Sequence, residues 1–309
     1  MNEAILVSKN IYNIFPFSLD AQPTLYGKLW LTLESQDTYT GTETEWQSNA
    51  SRVGVKDSFK FYKNTEFIYQ VEYEFDPVDG KADKKKERIF KQRNSFLGIK
   101  GSYGTIFIGT NDTAIKRSAS KIDLFNDLKA DIKNILHGEN RMQDLLGYKS
   151  PVFGGGFTIT LNSIKKNESF IDSLGDATSV SINYKLDSLY ISLANDSDVK
   201  GHDNTRVSLE IPFNKTKLGF IYQDSKDLSS GTEEDGYVVS ASREISKNSK
   251  LKIQLAKSDM KLDSGKQLSI GFDYLLTKNL NLFFFINDLN ENTKFKEKEI
   301  SAIGFEYKF

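Results

Sequence analysis

The chain has 309 residues, 41 basic and 42 acidic side chains for a formal net charge of −1, and no cysteine. That balance argues against a nucleic-acid partner, which leaves a basic face, and the missing thiols exclude a disulfide framework and thiolate metal sites. Only 38% of the residues are hydrophobic, and no stretch approaches the ~18 consecutive apolar residues of a membrane helix. The averages fit a large soluble β-protein or a transmembrane barrel, in which every second strand residue faces water.

Residues 1–23 read as a lead segment. Met1 to Asp20 lacks the basic start and continuous apolar core of a signal peptide, so Met1 is taken as a start added to a mature form. From residue 24 onward the pattern has period two. Leu25, Leu29, Leu31 and Leu33 alternate with Lys28, Trp30, Thr32 and Glu34. Phe67, Tyr69, Val71, Tyr73 and Phe75 alternate with Glu66, Gln70, Glu72 and Glu74. Later runs repeat this: Val207, Leu209 and Ile211 against Arg206, Ser208 and Glu210; Leu251, Ile253 and Leu255 against Lys252 and Gln254; Ile303, Phe305, Tyr307 and Phe309 against Gly304, Glu306 and Lys308.

Strands are expected at 24–35, 50–57, 65–76, 89–101, 103–110, 141–150, 153–164, 177–186, 188–195, 204–213, 215–224, 235–245, 248–258, 266–276, 278–287 and 298–309. Tight turns fall at Gly101-Ser102, Ser150-Pro151, Asp187-Ser188, Asn214-Lys215, Lys247-Asn248 and Lys278-Asn279. Longer polar connections fall between them, near 36–49, 77–88, 111–140, 165–176, 196–203, 225–234, 259–265 and 288–297, with 58–64 an exception on the short side. Short turns at one end and long loops at the other are how outer-membrane barrels are built. The expected fold is therefore all-β: a single transmembrane antiparallel β-barrel of about sixteen strands over 24–309. An even count puts both termini on the periplasmic side. Such a barrel must close, because unpaired backbone groups in hydrocarbon cost several kcal/mol each. Sixteen strands leave an aqueous channel where eight would fill with side chains.

The longest connection, 111–140, carries a helical pattern over Ser118–Leu136. Ile122, Phe125, Leu128, Ile132 and Ile135 share one face, and Asp123, Asp127 and Asp131 recur at i, i+4 and i+8 on another. A solvated surface helix is one reading. The other folds the loop inward, lays the apolar stripe on the barrel wall and turns the aspartates to the channel. By strand parity Lys28, Arg52 and Lys149 point inward, opposite Val53, Val55, Leu146 and Tyr148. Cations facing acids across a narrow water-filled gap would set ion preference. Because the same loop also holds Lys116, Arg117 and Lys121, charge counting leaves the sign open.

Five stretches in order carry a family likeness: Leu25-Tyr26-Gly27-Lys28; Ser51-Arg52-Val53-Gly54-Val55-Lys56; Arg93 through Gly101 with Tyr103-Gly104-Thr105 and Gly109; Tyr148-Lys149-Ser150-Pro151 with Phe153-Gly154-Gly155; and Ile303-Gly304-Phe305-Glu306-Tyr307-Lys308-Phe309. With them the chain resembles the gammaproteobacterial general diffusion porins. The resemblance implies a sixteen-stranded homotrimeric barrel in the Gram-negative outer membrane, set in its lipid and lipopolysaccharide. It implies an inward third loop with a short helix, and passive passage of ions and small hydrophilic solutes without a cofactor. The family's basic constriction cluster falls on Lys28, Arg52, Arg93 and Lys149, and its loop acids fall among Asp123, Asp127, Asp131 and Glu139. The terminal Phe305, Tyr307 and Phe309 match the pattern that the barrel-insertion machinery reads. The Pro-Glu-Phe-Gly-Gly loop motif of some members is absent.

Against an enzyme stand two histidines, His137 and His202, both in expected loops, and no thiol. Gly201-His202-Asp203-Asn204 reads as a polar turn ahead of a hydrolytic site. A substrate-specific outer-membrane channel is the alternative, followed by a non-conducting adhesin or binding barrel.

Overall fold

The computed structural model describes residues 23–166, 171–262, 264–292 and 297–309. The lead expected over 1–23 lies, but for Pro23, outside the described residues, as do parts of the connections expected at 165–176, 259–265 and 288–297. Sixteen antiparallel strands form one closed barrel. They are β1 (Thr24–Thr38), β2 (Gly41–Ser48 and Arg52–Tyr62), β3 (Thr65–Phe75), β4 (Phe90–Gln92 and Ser95–Gly101), β5 (Gly104–Asp112), β6 (Arg141–Lys149), β7 (Phe157–Ile164) and β8 (Ala177–Leu186). The second half comprises β9 (Leu189–Val199), β10 (His202–Phe213), β11 (Thr216–Asp227), β12 (Glu233–Glu244), β13 (Ser249–Ser258), β14 (Gly265–Thr277), β15 (Leu280–Asn290) and β16 (Lys298–Lys308).

Two of these strands are broken by kinks. In β2 the break at Asn49–Ser51 includes Ala50 at a φ of 54°, and the Asn49 amide donates to Thr32 Oγ1 at 2.8 Å. In β4 the break falls at Arg93–Asn94. Closure comes from β1 and β16, paired from Lys28↔Lys308 to Thr38↔Lys298. Phe309 extends that seam: its N–H donates to the Gly27 carbonyl at 3.1 Å, and the Gly27 N–H donates back at 3.0 Å. A Cβ at Gly27 would lie 2.5 Å from the Phe309 ring, so the ring occupies the space the missing side chain leaves.

Burial is inverted relative to a soluble protein. Outward residues such as Leu193 and Ile303 are 52% and 65% exposed, while inward Gln223 and Ser269 are fully buried. A continuous apolar band facing outward is what lipid requires of a barrel wall.

Several connections differ from the sequence reading because strands run past the membrane band. The loops expected at 36–49 and 196–203 are strand down to two-residue turns at 39–40 and 200–201, and the long short-side connection at 58–64 is strand to Tyr62. Polar residues there signalled solvent, and strand rims in solvent are polar too. The turn expected at Ser150-Pro151 instead spans 150–156, through Gly154, Gly155 and Gly156 at positive φ, and β7 begins only at Phe157.

Candidate functional site

The segment between β5 and β6 folds into the barrel. Thr113 caps α1 (Ala114–Ser118), and Asp131 caps a single 3-10 turn at Ile132–Asn134 through the Lys133 N–H at 2.7 Å. The helix expected over Ser118–Leu136 is not formed. Ser120 and Asp127 adopt φ values of 50° and 67°, which a helix does not accommodate. The loop backbone bonds to lumen side chains instead. Ile115 N–H donates to Ser179 Oγ at 3.1 Å and Leu124 N–H to Gln254 Oε1 at 2.9 Å. The Gln267 amide donates to the Ala130 carbonyl at 2.5 Å.

The apolar stripe is nevertheless buried as the pattern required. Ile122, Phe125, Leu128, Ile132 and Ile135 are at most 3% exposed. Space for it comes from lumen-facing glycines. A Cβ at Gly219 would meet Ile122 at 2.8 Å, one at Gly271 would meet Phe125 at 2.8 Å, and one at Gly236 would meet Leu136 at 2.7 Å. Lys252 Nζ lies 4.9 Å from the centre of the Phe125 ring.

Four of the eight sequence-selected constriction charges meet. Asp127 approaches Arg52 at 2.5 Å, Arg93 at 3.4 Å and Lys28 at 4.0 Å. The β2 and β4 kinks deliver the two guanidinium groups. Wall acids share them: Arg93 pairs with Glu72 at 3.1 Å and Glu74 at 2.8 Å, and Lys28 with Glu306 at 3.3 Å. Burial alone would raise the Asp127 carboxyl, but Arg93, Arg52 and Lys28 hold it well below the usual carboxylate range. Loop acid and wall cations are thus in contact, with no water-filled gap between them.

The remaining four lie elsewhere. Asp131 is spent on the backbone, accepting from Asp127 and Lys133. Asp123 is buried against Gln254 and the Phe125 N–H, and its burial together with Asp131 and Glu139 pushes its carboxyl well above the usual carboxylate range. Glu139 is paired inside the wall with Arg206 at 2.7 Å. Lys149 lines a lumen cavity of about 720 Å³ on the periplasmic side, away from the cluster.

Arg206, on β10, is fully buried, and sequence reasoning did not single it out. Besides Glu139 it donates to Gln223 Oε1 at 2.7 Å and to the carbonyls of Ile115 at 3.1 Å and His137 at 3.0 Å. It holds both ends of the loop at once. Its only signal was a charge on an inward strand position, which many lumen residues share. The two histidines also meet: His137 stacks on His202 with ring centres 3.9 Å apart, and its Nε2 lies 2.9 Å from the Met260 carbonyl. Burial, His202 and Lys261 lower the His137 pKa to about 4.

A closed sixteen-stranded barrel with an apolar exterior, a polar lumen and an inward loop defines an outer-membrane channel protein. Comparison with known proteins agrees. The description of Gram-negative porins matches residues 14–294, and the chain belongs to that family. It is 28% identical over 153 residues to the major outer membrane protein P.IB of Neisseria sicca, a match spanning 45% of this chain and 41% of that protein. Its fold is similar to an anion-selective porin from Comamonas acidovorans, with 18% identity, a TM-score of 0.76 and coverage of 94% and 100% of the two chains. It is equally similar to OmpF of Salmonella typhi, seen in complex with daunomycin, with 18% identity, a TM-score of 0.76 and coverage of 96% and 100%. Channel and outer-membrane location follow from family and fold.

Arg206→Ala strands Glu139 and removes one of the two side-chain donors from each of the Ile115 and His137 carbonyls, which keep Ser118 and Gln223. Breaking a buried pair of this kind costs about 3–5 kcal/mol. Because the outer band is untouched, the barrel is expected to fold while the loop loosens. Single-channel recordings should show noisier current of higher mean conductance than wild type, and unchanged traces would deny Arg206 its anchoring role.

The histidine pair adds a pH dependence. A docked pKa of about 4, below the ~6.5 of a free imidazole, means the undocked loop binds the extra proton. The contribution to docking is complete above ~6.5 and is lost as pH falls toward 4. Limited proteolysis of the loop should accelerate over that interval in wild type and much less in His137→Gln.

Proposed function

We propose that the chain forms a passive diffusion channel for ions and small hydrophilic solutes that prefers anions and works as a homotrimer. One observation carries the preference: the charges left free in the periplasmic half of the lumen. Among the described residues most acids there are consumed or shared, with Glu244 left without an ion pair. Asp112 is held by Lys116 at 3.4 Å and Arg141 at 3.0 Å, Glu210 by Lys217 at 3.8 Å and Asp273 by Lys252 at 2.8 Å. Lysines outnumber the acids that remain: Lys121, Lys149, Lys185, Lys215 and Lys250 line the two cavities, about 720 and 400 Å³, that meet at Lys121 and Asp123. Rings of uncompensated charge set selectivity in wide pores. The anion-selective porin of the same fold lends the reading support.

Lys28, Arg52, Arg93 and Asp127 act on this reading as the clasp that pins the loop tip, and the field an ion meets comes from the lysines. Under a KCl gradient the wild-type reversal potential should therefore report anion preference. Neutralising Lys121, Lys149 and Lys185 together should move it toward cations more than neutralising Arg52 and Arg93. A cation-selective wild type would sink this reading.

The trimer rests on the family and on the apolar exterior. The early-strand glycines do not serve it, since Gly27 is covered by Phe309, Gly54 by Tyr26 and Gly98 by Phe107. Phe305, Tyr307 and Phe309 are proposed as the signal that the insertion machinery reads. Deleting Phe309 should lower the folded yield in cells, scored by heat-modifiable gel migration, far more than it lowers the unfolding temperature of barrel already folded. Equal folded yields at normal expression would leave Phe309 only its place on Gly27.

A further inference from the structure

The larger lumen cavity has the composition of a binding site as well as a passage. Lys121 enters it from the loop, Lys149 from β6 and Lys185 from β8, while Arg117 approaches from the end of α1. Among the described residues, none of these four cations has a carboxylate within ion-pair distance; Arg117 bonds to the neutral side chain of Asn111. The acids that line the same cavity are already committed. Asp112 is bound by Lys116 and Arg141 and accepts from the Asn94 amide at 2.8 Å, and Glu139 is bound by Arg206. The third, Asp123, is turned into the wall against Gln254. Thr158, Ser181 and Asn183 complete the lining with neutral groups.

Three wall or loop elements thus present cations to one space of about 720 Å³, which lies within the size range of small-molecule sites. We infer that this cavity is a binding subsite for a small polyanion, a molecule carrying several phosphate or carboxylate oxygens, entered from the periplasmic side of the loop. Monovalent anions gain little from it, because one charge cannot engage lysines on separate elements. A molecule with two or more anionic groups bridges the loop and the wall. The subsite is separate from the Lys28, Arg52 and Arg93 cluster, whose charge is satisfied by Asp127, Glu72, Glu74 and Glu306.

This inference rests on the anion-preferring reading and is tested apart from it. The full chain is reconstituted in planar bilayers, and chloride current is measured while tripolyphosphate or citrate, in separate arms, is added to one side at a time. Concentration-dependent block is expected, stronger from the periplasmic side, with acetate much weaker. In Lys121→Gln/Lys149→Gln/Lys185→Gln, shown to be folded by heat-modifiable migration, half-block should require about tenfold more polyanion or higher. The arm that blocks at lower concentration assigns the subsite to phosphates or to carboxylates. Equal block in the triple variant, or block abolished only by Arg52→Gln/Arg93→Gln, overturns the subsite. Reversal potential, read on the same membranes, separates the two claims: a wild type that prefers anions but shows no block loses the subsite alone.

Discussion

In hydrocarbon a backbone N–H or C=O has no partner except another part of the chain, and a sheet can meet that demand everywhere only by closing on itself. The pairing of β1 with β16 over Lys28↔Lys308 to Thr38↔Lys298 is therefore the contact on which the other fifteen depend. Closure fixes the inside-out arrangement. Leucine and isoleucine face outward, and serine, asparagine, glutamine and charge face inward. A loop that enters such a lumen meets a polar wall. It stays there only if its own backbone finds partners and its apolar residues find gaps.

Both conditions are written into the wall. Ser179, Arg206, Gln223, Gln254 and Gln267 reach the loop's peptide groups, and Gly219, Gly236 and Gly271 leave room for Ile122, Leu136 and Phe125. These partners explain why the periodic stretch does not become a helix. A helix would satisfy its peptides internally and leave the buried wall amides without acceptors, which costs more than the helix gains. The same accounting reassigns the loop's aspartates. Their spacing suggested three equivalent charges, whereas the structure uses one as an ionic clasp, one as a backbone cap and one as a buried group hydrogen-bonded to the wall.

Period-two alternation made the strands legible, though a soluble sandwich would alternate as well, and it was the alternation of long and short connections that pointed to a barrel. Leu29, Leu31 and Leu33 against Trp30, Thr32 and Glu34 identified β1 without any contact being known. Counting the alternating runs gave the strand number. What stayed hidden was tertiary. The loop pattern Ile122, Phe125, Leu128 correctly marked burial, but its helical period arose from contacts with two different wall patches. Lys149 lies inward, as its parity indicated, yet about half of every strand's residues share that property, and only the folded chain separates it from Lys28, Arg52 and Arg93. Arg206 was visible as an inward charge, and its role appears only when residues 115, 137 and 139 arrive around it.

A net charge of −1 conceals where the charges sit. At the outer ends of β10, β11 and β12, Asp203, Asp224 and Asp235 cluster with Glu233 and Glu234 around a shallow cleft. Asp203 shares strand parity with Val207, Asp224 with Tyr222 and Asp235 with Val239, so these aspartates lie on the barrel's outer flank, off the solute path. Water and salt screen them within about 8–10 Å. Lys121, Lys149 and Lys185 act inside a confined space with low-dielectric walls, where field lines are focused and screening is weaker. A chain can be neutral in total and still carry an excess of cations along its lumen when most of its acids lie outside the channel or are paired within its wall, which is the basis of the anion-preferring proposal. On the proposed reading, selectivity is decided by which charges remain unpaired along the path, a quantity that composition does not contain and that depends on how the loop docks.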